Sequence, residues 1–143
     1  MAKRSKPLII VGCGKAKIWY KRRDIGKVEA HEAYVGPLFR SARRFAEKHG
    51  KDWLILSAKY GLLRPKQPIS DYDVTIGSPG AVTTKQLRQQ WRRLRNAPLV
   101  AVCLASKKYV DLLRASIPEG VSIRTPLEGM DLFERMRWLK RHS

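Results

Sequence analysis

The stretch Trp53–Pro65, Trp-Leu-Ile-Leu-Ser-Ala-Lys-Tyr-Gly-Leu-Leu-Arg-Pro, decides the fold class of this chain. Its first four residues form an uninterrupted apolar run, which is typical of a short strand buried on both faces of a sheet. A hydroxyl, an amine, a phenol, a glycine and a guanidinium follow directly. Ligands of open α/β sheets bind beyond the carboxyl ends of the strands, so this segment predicts one wall of a functional site.

Apolar runs and helical spacings alternate along the rest of the chain. We predict strands at 8–11, 53–56, 99–104 and 121–124, and helices at 32–49, 83–96, 107–116 and 130–140. Segments 15–31 and 62–82 show no clear period and are predicted to be loops. This alternation implies right-handed crossovers. The predicted fold is therefore one α/β domain over 1–143, with a basic tail at 1–7, a mostly parallel sheet of four to five strands, and helices on both faces.

Basic residues dominate the composition, because thirty Lys and Arg stand against twelve Asp and Glu, a formal net charge of +18. An excess of this size in a small domain is typical of a polyanion partner, with nucleic acid first and anionic membrane second. No apolar run approaches the roughly 18 residues of a membrane span, and the run at 8–11 is too short for a signal-peptide core of about 7–15 residues. We predict a cytoplasmic protein that binds nucleic acid and no membrane, with no signal for an oligomeric state.

Three predicted helices carry lines of cations at helical spacing. Each line lies away from the apolar stripe of its helix, so its cations are expected to face solvent. Since few acids balance them, these lines favour phosphate contacts over an ordinary solvated helix face, and such contacts carry affinity rather than sequence information. The predicted backbone contacts are Arg40, Arg44 and Lys48, then Arg88, Arg92 and Arg95, and finally Arg137, Lys140 and Arg141.

The end of the first strand, Gly-Cys-Gly-Lys-Ala-Lys at 12–17, resembles a phosphate-binding turn in outline. Glycines let backbone N–H groups approach an anion, and lysines add charge. The segment matches neither GxxxxGK[ST] nor GxGxxG, so an ordinary tight turn is the alternative. We predict a ligand-binding turn formed by Gly12, Cys13 and Gly14, with a phosphate held by Lys17 and by Lys15, which is also a catalytic candidate.

Asp71 and Asp73 flank Tyr72 in the second irregular segment and are unusual in so basic a chain. Asp73 is predicted to be a general base towards water, or to stabilise positive charge on a sugar as in glycoside cleavage. The alternatives are an Asx turn at Asp71 and an arginine partner for Asp73. No Ser-His-Asp or Cys-His arrangement is visible, so hydrolysis needs this acid. Histidines and cysteines match no metal-ligand spacing, and we predict no metal and no cofactor.

Aromatic side chains outside the apolar stripes suit stacking on bases. Tyr60, just after the central strand, is the aromatic residue most expected in a pocket, and Tyr72 is the alternative stacking residue. Ser57 is predicted to bond the edge of the base and is the third catalytic candidate. Together these residues predict a base-sized pocket at the carboxyl ends of the strands.

A family resemblance rests on three stretches of the chain. Residues 54–65 closely resemble the Leu-Ser-Gly-x-Tyr-Gly-Leu-Leu-Arg-Pro signature of the YaaA peroxide-stress proteins, residues 69–77 are similar to the stretch that follows it there, and Leu-Ala-Ser-Lys-Lys-Tyr at 104–109 resembles Leu-Ala-Ser-x-x-Tyr of that family. Residues 13–17 and 34–39 look closer to a sister group of short bacterial and phage domains of unknown function. The resemblance extends from about residue 10 to residue 139.

The resemblance implies an α/β domain, an association with DNA and oxidative damage, and a pocket built from the matched segments, which contribute Tyr34, Lys59, Gly61 and Ser106. The chain is shorter than YaaA proteins and has Asp73 where they tend to carry arginine. The favoured hypothesis is a protein that binds DNA rather than RNA, accepts one flipped or damaged base, and cleaves its N-glycosidic bond as DNA glycosylases do. The alternatives are a non-catalytic nucleic-acid binder that protects DNA and an enzyme acting on free nucleotides.

Overall fold

In the computed structural model the chain is described at residues 7–50, 52–95 and 97–143, so most of the predicted basic tail lies outside the described residues. The strands are β1 (Leu8–Gly12), β2 (Val28–Glu29), β3 (Asp52–Ser57), β4 (Gly61–Leu63), β5 (Pro68–Ile69), β6 (Val100–Leu104) and β7 (Ser122–Arg124). The helices are α1 (Ala30–Ala33), α2 (Pro37–His49), α3 (Thr84–Arg92), α4 (Lys107–Ser116) and α5 (Leu132–His142), and a short 3-10 turn covers Ile18–Tyr20.

The main sheet has the strand order β4-β3-β1-β6-β7, and β2 pairs with β5 in a separate ribbon. β1 is parallel to β3 and β6, and β7 is parallel to β6, whereas β4 returns antiparallel along the β3 edge. β1 is central because Ile9, Ile10 and Val11 are all fully buried, as an uninterrupted apolar run requires. The predicted α/β fold with a mostly parallel sheet is confirmed.

Alternate residues of β1 supply two separate cores. Ile9 and Val11 lie in the core that contains Ala42 of α2 and Leu139 of α5, while Ile10 lies in the core on the other face, which includes α3 and α4. Successive side chains of a strand point to opposite faces, so one apolar strand can bind helices on both sides. The prediction of helices on both faces is confirmed.

The helix predicted at 32–49 is divided in two by the structure. α1 ends at Ala33, and α2 begins at Pro37, where the missing N–H of proline removes no helical hydrogen bond. Capping boxes set two other helix starts, Thr83 with Gln86 at α3 and Asp131 with Glu134 at α5. α3 ends at Arg92, which is earlier than predicted. The predicted end at residue 96 lies outside the described residues.

The two segments predicted as irregular contain short regular elements. Segment 15–31 includes the 3-10 turn and β2, and segment 62–82 includes β5 and most of β4. Each of these elements is only two or three residues long, which is too short for hydrophobic periodicity to reveal it. β2 and β5 also pair across a long stretch of the chain. Throughout the described ranges, the helices lack the length and apolar character needed to cross a bilayer.

Gly12 permits the closest approach between the end of β1 and the segment that follows β6. A Cβ atom at position 12 would lie 2.6 Å from the Cβ of Ala105 and 3.3 Å from its Cα. Such a distance is well inside van der Waals contact, so any larger residue would separate the two strand ends. This contact brings together the two loops that follow β1 and β6.

We expect Gly12→Ala to lower the free energy of unfolding by about 1–3 kcal/mol, because the added methyl group overpacks the contact with Ala105. Urea denaturation measures the change. Gly14→Ala is the matched control, since a Cβ there meets nothing within 4 Å, and its effect should be under about 1 kcal/mol. Combining Gly12→Ala with Ala105→Gly should recover part of the loss. Equal stability of the two single variants would contradict this account.

Candidate functional site

A cavity of about 90 Å³ lies where the connections from two neighbouring strands diverge. The chain leaves β1 towards α2 on one face of the sheet, and it leaves β6 towards α4 on the other. Such a topological switch point opens a crevice at the carboxyl ends of the strands. We call this space the switch-point cavity. Its lining includes Gly12, Cys13, Gly14, Ser106 and Arg135.

The polar lining of the switch-point cavity combines one positive side chain with the start of a helix. Arg135 supplies a guanidinium, and the first turn of α4 follows Ser106, whose side chain makes no capping bond. The free N–H groups of a helix start attract anions. The N–H of Cys13 donates to the carbonyl oxygen of Leu56 at 3.0 Å, whereas that of Gly14 has no partner in the described ranges. No aspartate or glutamate belongs to the lining, so the site suits an anion.

The volume of the switch-point cavity limits its ligand. About 90 Å³ is far below the roughly 300–1,000 Å³ of pockets for drug-sized ligands. An oxyanion such as a phosphate group matches this size, while a nucleobase needs more room. The predicted base-sized pocket is therefore not what this cavity provides, because Leu38, Phe39 and Leu127 occupy its inner walls.

A chain of buried hydroxyl groups lies behind Cys13. Ser57 accepts hydrogen bonds from the backbone N–H groups of Lys59 (3.2 Å) and Tyr60 (3.1 Å), and donates to the Tyr72 hydroxyl at 3.0 Å. The hydroxyl groups of Tyr34 and Tyr72 are 2.6 Å apart. These contacts join the loop after β3 to the segment before α2 and to the segment after β5. We call this set the hydroxyl network.

Cys13 connects the hydroxyl network to the cavity. Its sulfur lies 3.7 Å from the Tyr72 hydroxyl, which donates to it, and 3.2 Å from the Tyr109 hydroxyl. The pKa values of three phenols, those of Tyr34, Tyr72 and Tyr109, lie far above the usual tyrosine value. Burial is the main cause, and the nearby Cys13 is the second. All three phenols therefore stay protonated at neutral pH and can donate hydrogen bonds.

Burial corrects three of the predicted ligand contacts. Ser57 is completely buried and its oxygen already has three partners, so it cannot bond a base edge in this conformation. Tyr34 and Tyr72 are also buried. The ring of Tyr72 has the Lys17 ammonium 4.4 Å from its centroid, and the Tyr60 ring lies 5.4 Å away in a T-shaped arrangement. Because these two rings, Tyr34 and Tyr72, are buried, they are not open to stack on a base in this conformation.

Tyr60 and the β3–β4 turn that contains it are held by contacts within the protein. Tyr60 donates to the carbonyl oxygen of Ser70 at 3.1 Å, and the Lys59 ammonium lies 5.2 Å from its ring centroid. Gly61 has φ +76°, and the Gln90 side chain fills the space that a Cβ would need. Gln90 accepts from the N–H of Leu62 and donates to the carbonyl oxygen of Tyr60. Gly61 thus serves the β3–β4 turn rather than a ligand.

Two of the three predicted catalytic residues, Lys15 and Asp73, are exposed. In the described part of the chain neither makes a hydrogen bond or an ion pair, and neither lines the switch-point cavity. The Asp71 carboxylate accepts a hydrogen bond from the N–H of Tyr72 at 2.8 Å, and this local contact is consistent with the alternative of a turn at Asp71. A general base needs hydrogen-bond reach of its target, and Asp73 has no partner that positions it.

The predicted cation lines fall on two opposite faces of the sheet. α2 and α5 share one face, with the Phe45 and Trp138 rings 5.2 Å apart, whereas α3 lies on the other. Arg95 follows the end of α3 and does not continue its helical line. A groove of about 530 Å³ separates the outer sides of α2 and α5, and we call it the α2–α5 groove. It is lined by Ser41, Arg44, Phe133, Met136, Arg137, Lys140 and Ser143.

Tyr109, Arg135 and Phe133 are the residues that sequence reasoning missed. Helical spacing alone makes Tyr109 an inward-facing core residue, although it belongs to the stretch 104–109 that carries the family resemblance. Arg135 has no sequence signal of this kind. Helical spacing predicts Phe133 in the apolar stripe of the last helix, and this is wrong because 82% of its surface is exposed. Their role depends on the packing of α5 beside α2, which brings distant parts of the chain together.

A second cluster could hold a metal ion. One ligand atom each from Glu29, His31 and Glu32 lie within 4.8 Å of one another. His31 Nε2 is 2.8 Å from the Glu29 carboxylate, and Arg43 donates to the carbonyl oxygen of His31. An imidazole with two carboxylates is a ligand set that suits zinc. Here a hydrogen-bonded His–Glu pair already accounts for the short contact.

The two cysteines should differ in reactivity. Cys103 is buried in the core on the α3–α4 face, where burial raises the pKa of its thiol to about 12, while the half-buried Cys13 lines the cavity. The thiolate is the reactive form.

We expect iodoacetamide at pH 8.5 to alkylate Cys13 before Cys103 in the folded protein, and peptide mass spectrometry measures the two rates. Equal rates in the native protein would contradict this assignment, and denatured protein provides the control.

Comparison with known proteins places the chain in a family. Residues 8–141 match a family described as "Family of unknown function (DUF6884)". The chain is 40% identical over 128 residues to the "Uncharacterized protein YfjM" of Bacillus subtilis (strain 168), an alignment covering 87% of this chain and 85% of that protein. The resemblance to YaaA proteins stays a prediction. Because the match spans nearly the whole domain, this chain belongs to the DUF6884 family of unknown function.

Proposed function

We propose that this protein binds nucleic acid through the α2–α5 groove and receives one phosphate group in the switch-point cavity. The observation that carries the proposal is the composition of the groove, which has Arg44, Arg137 and Lys140 in its lining and no aspartate or glutamate. Phosphate contacts from Lys and Arg supply most of the affinity for a nucleic-acid backbone. A cation-lined groove of this kind is complementary to a polyanion.

Among the described residues, the groove cations have no acidic partners. The ion pairs among the described residues use Arg43, Lys107 and Arg114, together with His31. Arg44, Arg137 and Lys140 belong to none of them, and their charges are not neutralised within that part of the chain. In a chain of formal charge +18, such unbalanced groups favour an external anion.

The groove and the cavity are lined by different residues of the same two helices. Leu38 and Ala42 of α2 line the cavity, while Ser41 of the same helix lines the groove. On α5, Arg135 lines the cavity and the next residue, Met136, lines the groove. Both sites therefore depend on the packing of α2 beside α5.

Arg135 is suited to bind that phosphate. Its Nε donates to the carbonyl oxygen of Met130 at 3.0 Å, which orients the guanidinium and leaves its two terminal nitrogens for a ligand. Arginine binds phosphate through paired donors of this geometry. The α4 N-terminus at Ser106 supplies further N–H donors.

Cleavage of an N-glycosidic bond, which the sequence analysis favours, is the alternative to binding alone. It needs a carboxylate that activates water or stabilises a positively charged sugar. The switch-point cavity has no carboxylate in its lining, and Asp73 is exposed without a partner in the described ranges. Binding without hydrolysis is the function that this geometry favours. The choice of DNA over RNA rests on the family resemblance, and the groove favours a polymer over a free nucleotide.

We expect replacement of Arg44, Arg137 and Lys140 by glutamine to weaken nucleic-acid binding and its salt dependence. Each phosphate contact contributes about 0.7–0.9 to the slope of log affinity against log salt, so the slope should fall by about 2 to 3. Fluorescence anisotropy with a labelled oligonucleotide between about 50 and 200 mM salt measures both quantities.

Arg88→Gln with Arg92→Gln is the control for that experiment, because both residues are exposed on α3, on the opposite face of the sheet. It removes charge without touching the groove. A slope that falls in proportion to the charge removed, whichever face carries it, would contradict the assignment of the groove.

Base release provides a test of the reaction. We expect no release from oligonucleotides carrying deaminated, oxidised, alkylated or glucosylated bases, read as strand breaks after alkali, because Asp73 has no partner to position it. Release that disappears in Asp73→Asn would reverse this expectation and establish a glycosylase. A glycosylase of another fold, acting on its own substrate, controls for the assay.

A further inference from the structure

Phe133 is an aromatic residue that the fold does not bury. It lies in the first turn of α5, and 82% of its surface is exposed. The capping box of Asp131 and Glu134 on either side holds that turn, with the Asp131 carboxylate accepting from the Glu134 N–H at 2.8 Å. Phe133 is therefore a large apolar side chain that contacts solvent, on a backbone that the capping box holds in place, and it does not contribute to the core.

The position of Phe133 joins it to the groove cations. Arg137 and Lys140 follow it at i+4 and i+7, so all three lie on one face of α5, and all three line the α2–α5 groove with Arg44 of α2. The groove volume of about 530 Å³ is within the range that holds a small organic ligand. One unit of a nucleic-acid strand is a ligand of that class.

Cations beside an exposed aromatic ring distinguish between forms of nucleic acid. In a duplex the bases stack on one another and offer only their edges in the grooves. In a single strand the base faces are open, and proteins bind them by combining cations along the backbone with aromatic side chains that stack on bases. The α2–α5 groove has both components.

We infer that the α2–α5 groove binds single-stranded nucleic acid in preference to duplex, with one base stacked on Phe133 and phosphates on Arg44, Arg137 and Lys140. This inference rests on the proposed function, since it specifies the form of nucleic acid that the same groove takes. The backbone contacts supply affinity for either form, and the stack on Phe133 supplies the preference.

A second copy of this chain is the competing occupant of the exposed apolar surface. Phe133 and its exposed neighbour Leu132 could pack against the same residues of another molecule. Such a contact would bring two sets of groove cations together without carboxylates in the lining to balance them. Charge complementarity therefore favours a polyanion over self-association.

The test compares a labelled twelve-nucleotide oligothymidine with a labelled twelve-base-pair duplex at one salt concentration, using fluorescence anisotropy. We expect wild-type protein to bind the single strand more tightly. Phe133→Ala should weaken single-strand binding by about 5- to 150-fold, the loss of one base–aromatic stack, and change duplex binding less than about twofold. Phe133→Trp should restore it. Leu132→Ala is the control, because that residue is exposed but does not line the groove.

The outcomes separate the two proposals. Binding that depends on the groove cations but is the same for both nucleic acids and unaffected by Phe133→Ala would overturn this inference and leave the proposed function standing. Absence of salt-sensitive binding in the wild-type protein would overturn both. Sedimentation velocity on the same variants tests the competing occupant: dimers that disappear in Phe133→Ala, with single-strand affinity unchanged, would assign the surface to a second copy instead.

Discussion

The close contact between the ends of β1 and β6 is the constraint on which the rest of the site depends. Only a residue without a Cβ allows position 12 to lie against Ala105. Beyond this contact the chain diverges towards α2 on one face and α4 on the other, and the crevice that results is lined by the loops after both strands. The cavity is small because Leu38, Phe39 and Leu127 occupy its inner walls.

The polar residues at the strand ends act mainly on one another. Ser57 bonds two backbone N–H groups and Tyr72, Tyr72 bonds Tyr34 and Cys13, and Cys13 contacts Tyr109. Each hydroxyl is buried and would be costly to leave without a partner, so the network holds three loops in register. Its function is to position the Gly12–Gly14 turn, and the groups left for a ligand are those at the cavity wall, Arg135 above all.

Charge is distributed unequally around the fold. Both faces of the sheet carry exposed cations, and the groove between α2 and α5 combines three of them with no aspartate or glutamate in its lining. These helices lie side by side with their C-terminal ends in contact through His49 and His142. The groove also exposes Phe133, whose ring has no place in the apolar core. Under the proposed function, the whole surface attracts a polyanion at long range, and this one pair of helices orients it.

The sequence by itself determined the fold class, because apolar runs such as Leu8–Val11 and helical spacings are local patterns that specify buried strands and amphipathic helices. It also identified the turn at Gly12–Gly14, Ser106 and the basic character of α2 and α5. It could not predict that Ser57, Tyr34 and Tyr72 turn inward, since burial depends on partners far away in the chain, or that Asp73 stays exposed. The pairing of α2 with α5, which creates the groove and brings Arg135 to the cavity, was decided by tertiary packing alone: two amphipathic helices can cover one face of a sheet in several orders, and only the folded chain selects one.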